Sequence, residues 1–225
     1  MQLEQNIKGL CSKFGIDFDD FLNDLDVENV HELTVYDLEA VCEEYEIDLQ
    51  ALLFKPLFKP ELYKKKLSEI KFLILDVDGV MTDGGMYISE NGDQNKRFNA
   101  QDGMAIQHLV KSNFKVGIIS SGTTKSMVQK RAEILGIQHC YVGTDSKISV
   151  LNSWCKTLGI KLSEVAIIGD DINDIEIMKK VGIAACPANA VNSVKSISHI
   201  QLSKKGGDAC IREFIDNYLL KEPIQ

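Results

Sequence analysis

The sequence predicts an α/β protein: a Rossmann-like parallel sheet with helices on both faces, preceded by a small all-α unit. Three observations carry that prediction. From residue 71 onward, short apolar runs alternate with segments of helical spacing, the pattern of successive β-α units. The first 55 residues lack such runs and read as short helices. The charge also divides there. Residues 1–55 hold 14 acidic and 3 basic side chains and residues 56–225 hold 19 and 22, in a chain of formal charge −8. Such a step marks two units with different jobs.

In the first unit, LTVYDLEAVCEEYEIDLQALL places Thr34 to cap a helix, with Leu38, Val41, Cys42 and Tyr45 following at helical spacing. A faint repeat is present. CSKFGIDFDDFL (11–22) and CEEYEIDLQALL (42–53) share the pattern C-x-x-aromatic-x-I-D-apolar-x-x-apolar-L, 31 residues apart. Two copies are too few for a solenoid and suggest two related helical hairpins packed together. Pro56 and Pro60 interrupt any continuous helix, and 61–70 reads as a short basic helix. The expected division is therefore a helical domain at 1–55, a linker and short helix at 56–70, and an α/β domain at 71–225.

In that domain KFLILDV is a buried strand. VMTDGGMYIS, an Asn91-Gly92 turn and DQNKRF read as a β-hairpin. A helix over 102–112 precedes a strand at 114–120. A helix over 124–136 stops at Gly136, and a short strand runs from Ile137 to Val142. Residues 145–158 are helical, 164–170 a strand, 172–182 a helix, 183–186 a strand and 199–202 a last short strand. DACIREFIDNYLL closes the chain as a helix.

Composition excludes several classes. The six cysteines are scattered, with no CxxC pair, so neither a zinc site nor a disulfide framework is expected. No apolar run approaches the roughly 20 residues of a membrane span. MQLEQNIKGL lacks the basic start and apolar stretch of a signal peptide, so the cytoplasm is expected.

The chemistry gathers at strand ends. DVDG (76–79), SSGT (120–123), GTDSK (143–147) and GDD (169–171) each follow a predicted strand, where parallel sheets bind ligands. Asp76, Asp78 and Asp170 could converge there. Like charges in a dry site raise one another's pKa unless a cation intervenes, and an all-oxygen site suits Mg²⁺. One such Asp taken alone reads more simply as a helix cap; the set reads as a metal site. Lys147 at a helix start opposes the helix dipole, so a nearby carboxylate or phosphate is expected, although a lone solvated lysine is the plainer reading. Ser120, Ser121, Gly122 and Thr123 could cradle a phosphate or simply cap the next helix.

These pieces resemble the haloacid dehalogenase superfamily of phosphotransferases. DVDGV matches its first motif, Ser120 its second, Lys147 its third, and GDDINDI its fourth, Gly-Asp-x-x-x-Asp. The resemblance covers roughly 70–220. It implies that Asp76 attacks phosphorus to form an aspartyl-phosphate, and that Asp78 protonates the leaving oxygen and then activates water. It further implies that Asp76, the backbone carbonyl of Asp78 and Asp170 hold Mg²⁺, that Ser120 and Lys147 hold phosphoryl oxygens, and that Asp171 and Asp174 support the metal side.

Asp76 to Ser120 is 44 positions and Ser120 to Lys147 is 27, too few for an inserted cap domain. DVDGVMTDGGMYIS, KRFNAQDGMAI, RAEILGI, GDDINDIEIMKKVG and GGDACIRE are similar to the capless phosphatases of 3-deoxy-D-manno-octulosonate 8-phosphate and of nonulosonate (sialic-acid-type) 9-phosphates. That group implies a homotetramer in which the hairpin builds subunit contacts. It also implies that the tail with Gly206, Gly207 and Arg212 lies near an active site, against the alternative of a plain glycine turn and surface helix. Gly79, Ser121, Gly122 and Arg212 are the implied substrate contacts. One departure stands out. The group commonly has Thr-Gly-Arg or Thr-Gly-Glu at the second motif, where this chain has Ser120-Ser121-Gly122-Thr123. The sugar, and the choice between Ser120 and Ser121, stay open. The alternatives are a catalytically silent assembly or regulatory domain and a phosphatase of another phosphoester.

Residues 7–54 faintly resemble the helical domain of Cro-type repressors. Phosphate binding depends on Lys and Arg, and the acidic balance of this segment argues against nucleic acid. An acidic protein-interaction or oligomerisation module is expected, with a plain packing extension as the alternative.

Overall fold

The computed structural model describes residues 2–57, 59–90, 94–122 and 125–220, the side chains at 13 and 59–62 excepted. The chain divides into two compact units, Met1–Lys65 and Lys66–Gln225.

In the first unit, α1 (Gln2–Phe14), α2 (Phe18–Asp24), α3 (Val35–Glu44) and α4 (Leu49–Phe54) enclose a core that includes Ile7, Leu10, Phe21, Val41 and Leu52. Their starts follow local chemistry. Thr34 and Asp37 form a reciprocal capping box, and Asp17 and Asp48 cap α2 and α4. The two sequence repeats close their first helices alike. Ile16 N–H bonds Cys11 O, and Ile47 N–H bonds Cys42 O, each at 2.9 Å. The intervening Gly15 and Glu46 both take left-handed backbone, φ 70° and 52°. Phe14 and Tyr45, equivalent in the repeat, lie against one another with ring centroids 4.8 Å apart. The division between the units falls within α5 (Lys59–Ser68).

The second unit runs β1 (Phe72–Leu75), β2 (Tyr87–Ile88), β3 (Gln94–Asn95), α6 (Ala100–Lys111), β4 (Lys115–Ser120) and α7 (Lys125–Leu135). It continues through β5 (His139–Val142), α8 (Lys147–Leu158), β6 (Val165–Ile168), α9 (Ile175–Met178), β7 (Ile183–Cys186), α10 (Asn192–Ile197), β8 (Ile200–Gln201) and α11 (Cys210–Phe214). Six strands form one sheet in the order β5-β4-β1-β6-β7-β8, every pairing parallel. β1 is fully buried between β4 and β6, with Leu75 opposite both Ile118 and Ile168. Phe72 and Ile74 pack into a core with Ile148 and Leu151 of α8 and Ile177 of α9. Their neighbours Leu73 and Leu75 alternate to the other face. The chain leaves β1, returns at β4 on one side and reaches β6 on the other. The crevice beyond the carboxyl ends of these three strands is the natural ligand site.

β2 and β3 pair antiparallel, Tyr87 opposite Asn95 and Ile88 opposite Gln94; the expected Asn91-Gly92 turn lies outside the described residues. No cap domain separates β1 from β4 or β4 from α8 among the described residues. Two expected helices are shorter than read. Over 172–182 a 3₁₀ turn (Ile172–Asp174) leads into the single turn of α9. Asp174 folds back to accept the N–H groups of Asp170 and Asp171, at 3.0 and 3.4 Å, which tightens that entry. The closing helix gives way after Phe214 to a wider π-type turn, Ile215–Leu219. No described helix is long and apolar enough to cross a membrane.

Candidate active site

Three adjacent strands bring the polar clusters together. Asp76 follows β1, Ser120 ends β4, and Asp170 follows β6. Beyond Asp76 the chain turns sharply through Val77–Met81, with Gly79 at φ 87°. Only glycine suits that position. A Cβ there would lie 2.0 Å from Asp170 Oδ2, quite apart from the left-handed backbone.

Asp76 is 5% exposed and makes no capping bond to the turn it begins. Its Oδ1 instead lies 2.8 Å from Lys147 Nζ, which also donates to Asp174 Oδ1 at 2.7 Å. The unfavourable placement of a lysine at the start of α8 is thereby explained: it answers two buried carboxylates, while Ser146 caps the helix. Asp174 is fully buried, and its other oxygen holds the Asp170 and Asp171 amides.

Asp76, Asp170 and Asp174 each offer an oxygen within 4.8 Å of the others. Burial, then repulsion from Asp174, pushes Asp76 up to about 7 in spite of Lys147. Burial, then Asp76, likewise pushes Asp170 up to about 7. Burial opposes the charge on Lys147, but Asp76 and Asp174 outweigh it and its pKa is raised. Asp170 Oδ1 is buried without a hydrogen-bond partner. Such an orphan costs about 1–3 kcal/mol or more for a charged group, and a hard divalent cation would satisfy it. The residues present therefore fit Mg²⁺. Asp174 already serves Lys147 and two amides, which leaves Asp76 and Asp170 as the better side-chain donors.

Asp78 is handled separately. Its carboxylate pairs with Lys96, whose side chain is 5% exposed. Lys96 follows β3, so the hairpin carries a second cation into the site. In the sequence Lys96 belongs to the KRFNAQDGMAI run that carries the resemblance, but no spacing ties it to Asp78. The available hint was charge: several carboxylates converging on one lysine leave an excess.

Ser120 is 2% exposed, and its Oγ accepts from Gly122 N–H at 3.1 Å. A Cβ on Gly122 would lie 3.2 Å from that Oγ and 3.4 Å from Asp78 Oδ2, so this glycine sits beside both side chains. Ser121 is exposed. Asp171 is exposed too, and its side chain accepts from Ile172 N–H at 2.7 Å as a cap. The simple capping role thus falls to Asp171 and not to Asp76. Arg212 gives its backbone N–H to Asp102 Oδ1 at 2.8 Å and its Nε to Asp216.

Comparison with known proteins agrees with this geometry. Residues 141–214 match the haloacid dehalogenase-like hydrolase family. The chain is 36% identical over 158 residues to the 3-deoxy-D-manno-octulosonate 8-phosphate phosphatase of Yersinia pestis, covering 70% of this chain and 84% of that protein. It is 37% identical over 161 residues to the Salmonella typhi enzyme of the same name, covering 70% and 83%. The crystal structure of the Moraxella catarrhalis 3-deoxy-D-manno-octulosonate 8-phosphate phosphatase, in complex with a magnesium ion, a phosphate ion and a KDO molecule, is similar with a TM-score of 0.65. That match has 34% identity and covers 68% of this chain and 87% of that one.

Proposed function

The chain belongs to the haloacid dehalogenase-like phosphatases of the 3-deoxy-D-manno-octulosonate 8-phosphate phosphatase-like group, and from that premise we propose that it hydrolyses the phosphate ester of an eight- or nine-carbon sugar acid through an aspartyl-phosphate. It is a phosphoric monoester hydrolase that uses Mg²⁺. The observation that carries the mechanism is the buried Asp76, held by Lys147 beside the partnerless oxygen of Asp170.

In this reading Asp76 attacks phosphorus. Asp78 gives a proton to the departing sugar oxygen, because an alkoxide leaves poorly without one. It then takes a proton from the water that hydrolyses the aspartyl-phosphate. Ser120 and Lys147 hold phosphoryl oxygens, and the buried side chain of Ser120 favours it over the exposed Ser121 as the second-motif residue. Asp76, the backbone carbonyl of Asp78 and Asp170 would hold an Mg²⁺ ion, which would offset the charge of nucleophile and ester. Asp174 keeps Lys147 and the Asp170 turn in place. Gly79, Ser121, Gly122 and Arg212 are proposed as the substrate contacts, with Lys96 orienting Asp78.

The substrate of the relatives, 3-deoxy-D-manno-octulosonate 8-phosphate, is the first candidate; nonulosonate 9-phosphates are the second. The exposed Met86, Tyr87 and Ile88 at β2 support a subunit contact there, and a homotetramer is proposed. Residues 1–55 are proposed as a separate acidic domain that binds protein, and the chain as cytoplasmic. The decisive experiment is phosphate release from a panel of sugar acid phosphates with and without EDTA. Metal-dependent release from an eight- or nine-carbon member, abolished in Asp76→Asn, is expected. No release from any member, or an Asp76→Asn variant as active as its parent, refutes the proposal.

A further inference from the structure

We propose that Asp102 is a positioning residue: it anchors segment 203–209 as a strap that holds the Gly79 turn against Asp170. The proposal rests on the reading of Asp76, Asp78 and Asp170 as the phosphatase site.

Asp102 lies in the first turn of α6 and is 3% exposed. Its Oδ1 accepts the Arg212 N–H at 2.8 Å, while its Oδ2 is buried without a partner. That bond ties the start of α11, whose first amides have no partners within the helix, to α6. The strap enters α11 from this fixed point. At its other end, Ser203 and Lys204 N–H bond the two oxygens of Glu213, both at 2.8 Å. Between them Gly206 N–H donates to Asn189 Oδ1 at 2.9 Å, and Gly207 N–H to Val80 O at 3.0 Å. Asn99 Nδ2, from the cap of α6, donates to Gly207 O at 3.2 Å.

The contacts beneath the strap leave no room for a methyl group. A Cβ on Gly206 would lie 1.8 Å from Gly79 O, and one on Gly207 would lie 2.4 Å from Asp83 N. One on Gly79 would lie 2.0 Å from Asp170 Oδ2. Strap, turn and carboxylate are thus three layers in direct contact. Interiors packed this closely transmit displacement. Loosening the strap should let the turn carrying the Asp78 carbonyl drift from Asp170, although Asp102 touches neither.

The test is amide hydrogen exchange on the metal-free full chain, with Mg²⁺ binding by calorimetry and turnover of p-nitrophenyl phosphate alongside. In Asp102→Ala, the amides of Thr82, Gly207 and Arg212 should exchange about tenfold faster while those of β4 keep their rates. Mg²⁺ affinity and kcat/KM should fall together, and Asp102→Asn, which keeps an acceptor oxygen, should recover most of each. Glu213→Ala is partly exposed and releases the strap from its other end. It should speed the same Thr82 and Gly207 amides, and it supplies the test if Asp102→Ala does not fold. Unchanged Thr82 exchange in a folded variant overturns the proposal. So does acceleration that extends equally into β4, which marks a general loss of stability. If Asp76→Asn retains activity, the site reading fails, while the exchange data still report on the strap.

Discussion

Magnesium binding should expel protons, and the number should depend steeply on pH. Asp76 and Asp170 rise from 3.8 to about 7 in the metal-free fold. The metal-free protein therefore keeps protons that the unfolded chain has already released. Its stability should fall as pH rises from about 4 to about 7, because the unfolded state binds fewer protons across that window. Taken alone, each rise corresponds to about 4 kcal/mol; the two together amount to less than twice that, since each carboxylate is part of the cause of the other's shift. At pH 6 the pair keeps most of its protons, and at pH 8 it has released most of them. Binding should thus release about one to two protons at pH 6 and few at pH 8, with an apparent affinity at least about tenfold weaker at the lower pH. Calorimetric titration in two buffers of different ionisation heat counts the protons directly. Thermal melts give an independent readout: the rise in Tm caused by Mg²⁺ should grow from pH 6 to pH 8. Affinities within about threefold at the two pH values, with under about half a proton released at pH 6, would refute the shared carboxylate site.

Further outcomes follow from single contacts. Lys147→Met leaves Asp76 and Asp174 without their cation, so stability should fall by about 3–5 kcal/mol near neutral pH. The deficit should shrink in acid as the carboxylates take protons; a deficit unchanged down to pH 5 would contradict the pairing. Lys96→Met frees the Asp78 side chain, so turnover of an alkyl phosphate should fall about 10- to 100-fold and that of p-nitrophenyl phosphate much less, because nitrophenolate departs without a proton. Equal losses on both esters would show that Lys96 does not orient the acid. Gly79→Ala adds about 1–2 kcal/mol of backbone strain and sets a methyl against Asp170. It should lose Mg²⁺-induced stabilisation and activity while keeping its far-ultraviolet circular dichroism; a variant with normal Mg²⁺ response would contradict the packing.

The sequence by itself determined the alternation of strand and helix, the order of the polar clusters and the cap at Thr34. Periodicity, capping and turn chemistry are short-range effects, and each is written within a few residues. It also carried the repeat in the first unit, because one local pattern of C-x-x-aromatic-x-I-D builds the same helix end twice. Tertiary structure alone decided who pairs with whom. Asp76, Asp170 and Asp171 all follow or adjoin strands, yet one is held by Lys147, one has a partnerless oxygen and one caps a turn. Lys96 reaches Asp78 only because β3 brings the chain back over the strand ends. The glycines at 206 and 207 read equally as part of an active-site tail or as a plain turn, and only the fold sets their backbone against Gly79 and Asp83. A buried charge is tolerable only beside its partner, and that partner is chosen by distance in space, which local residue patterns do not encode.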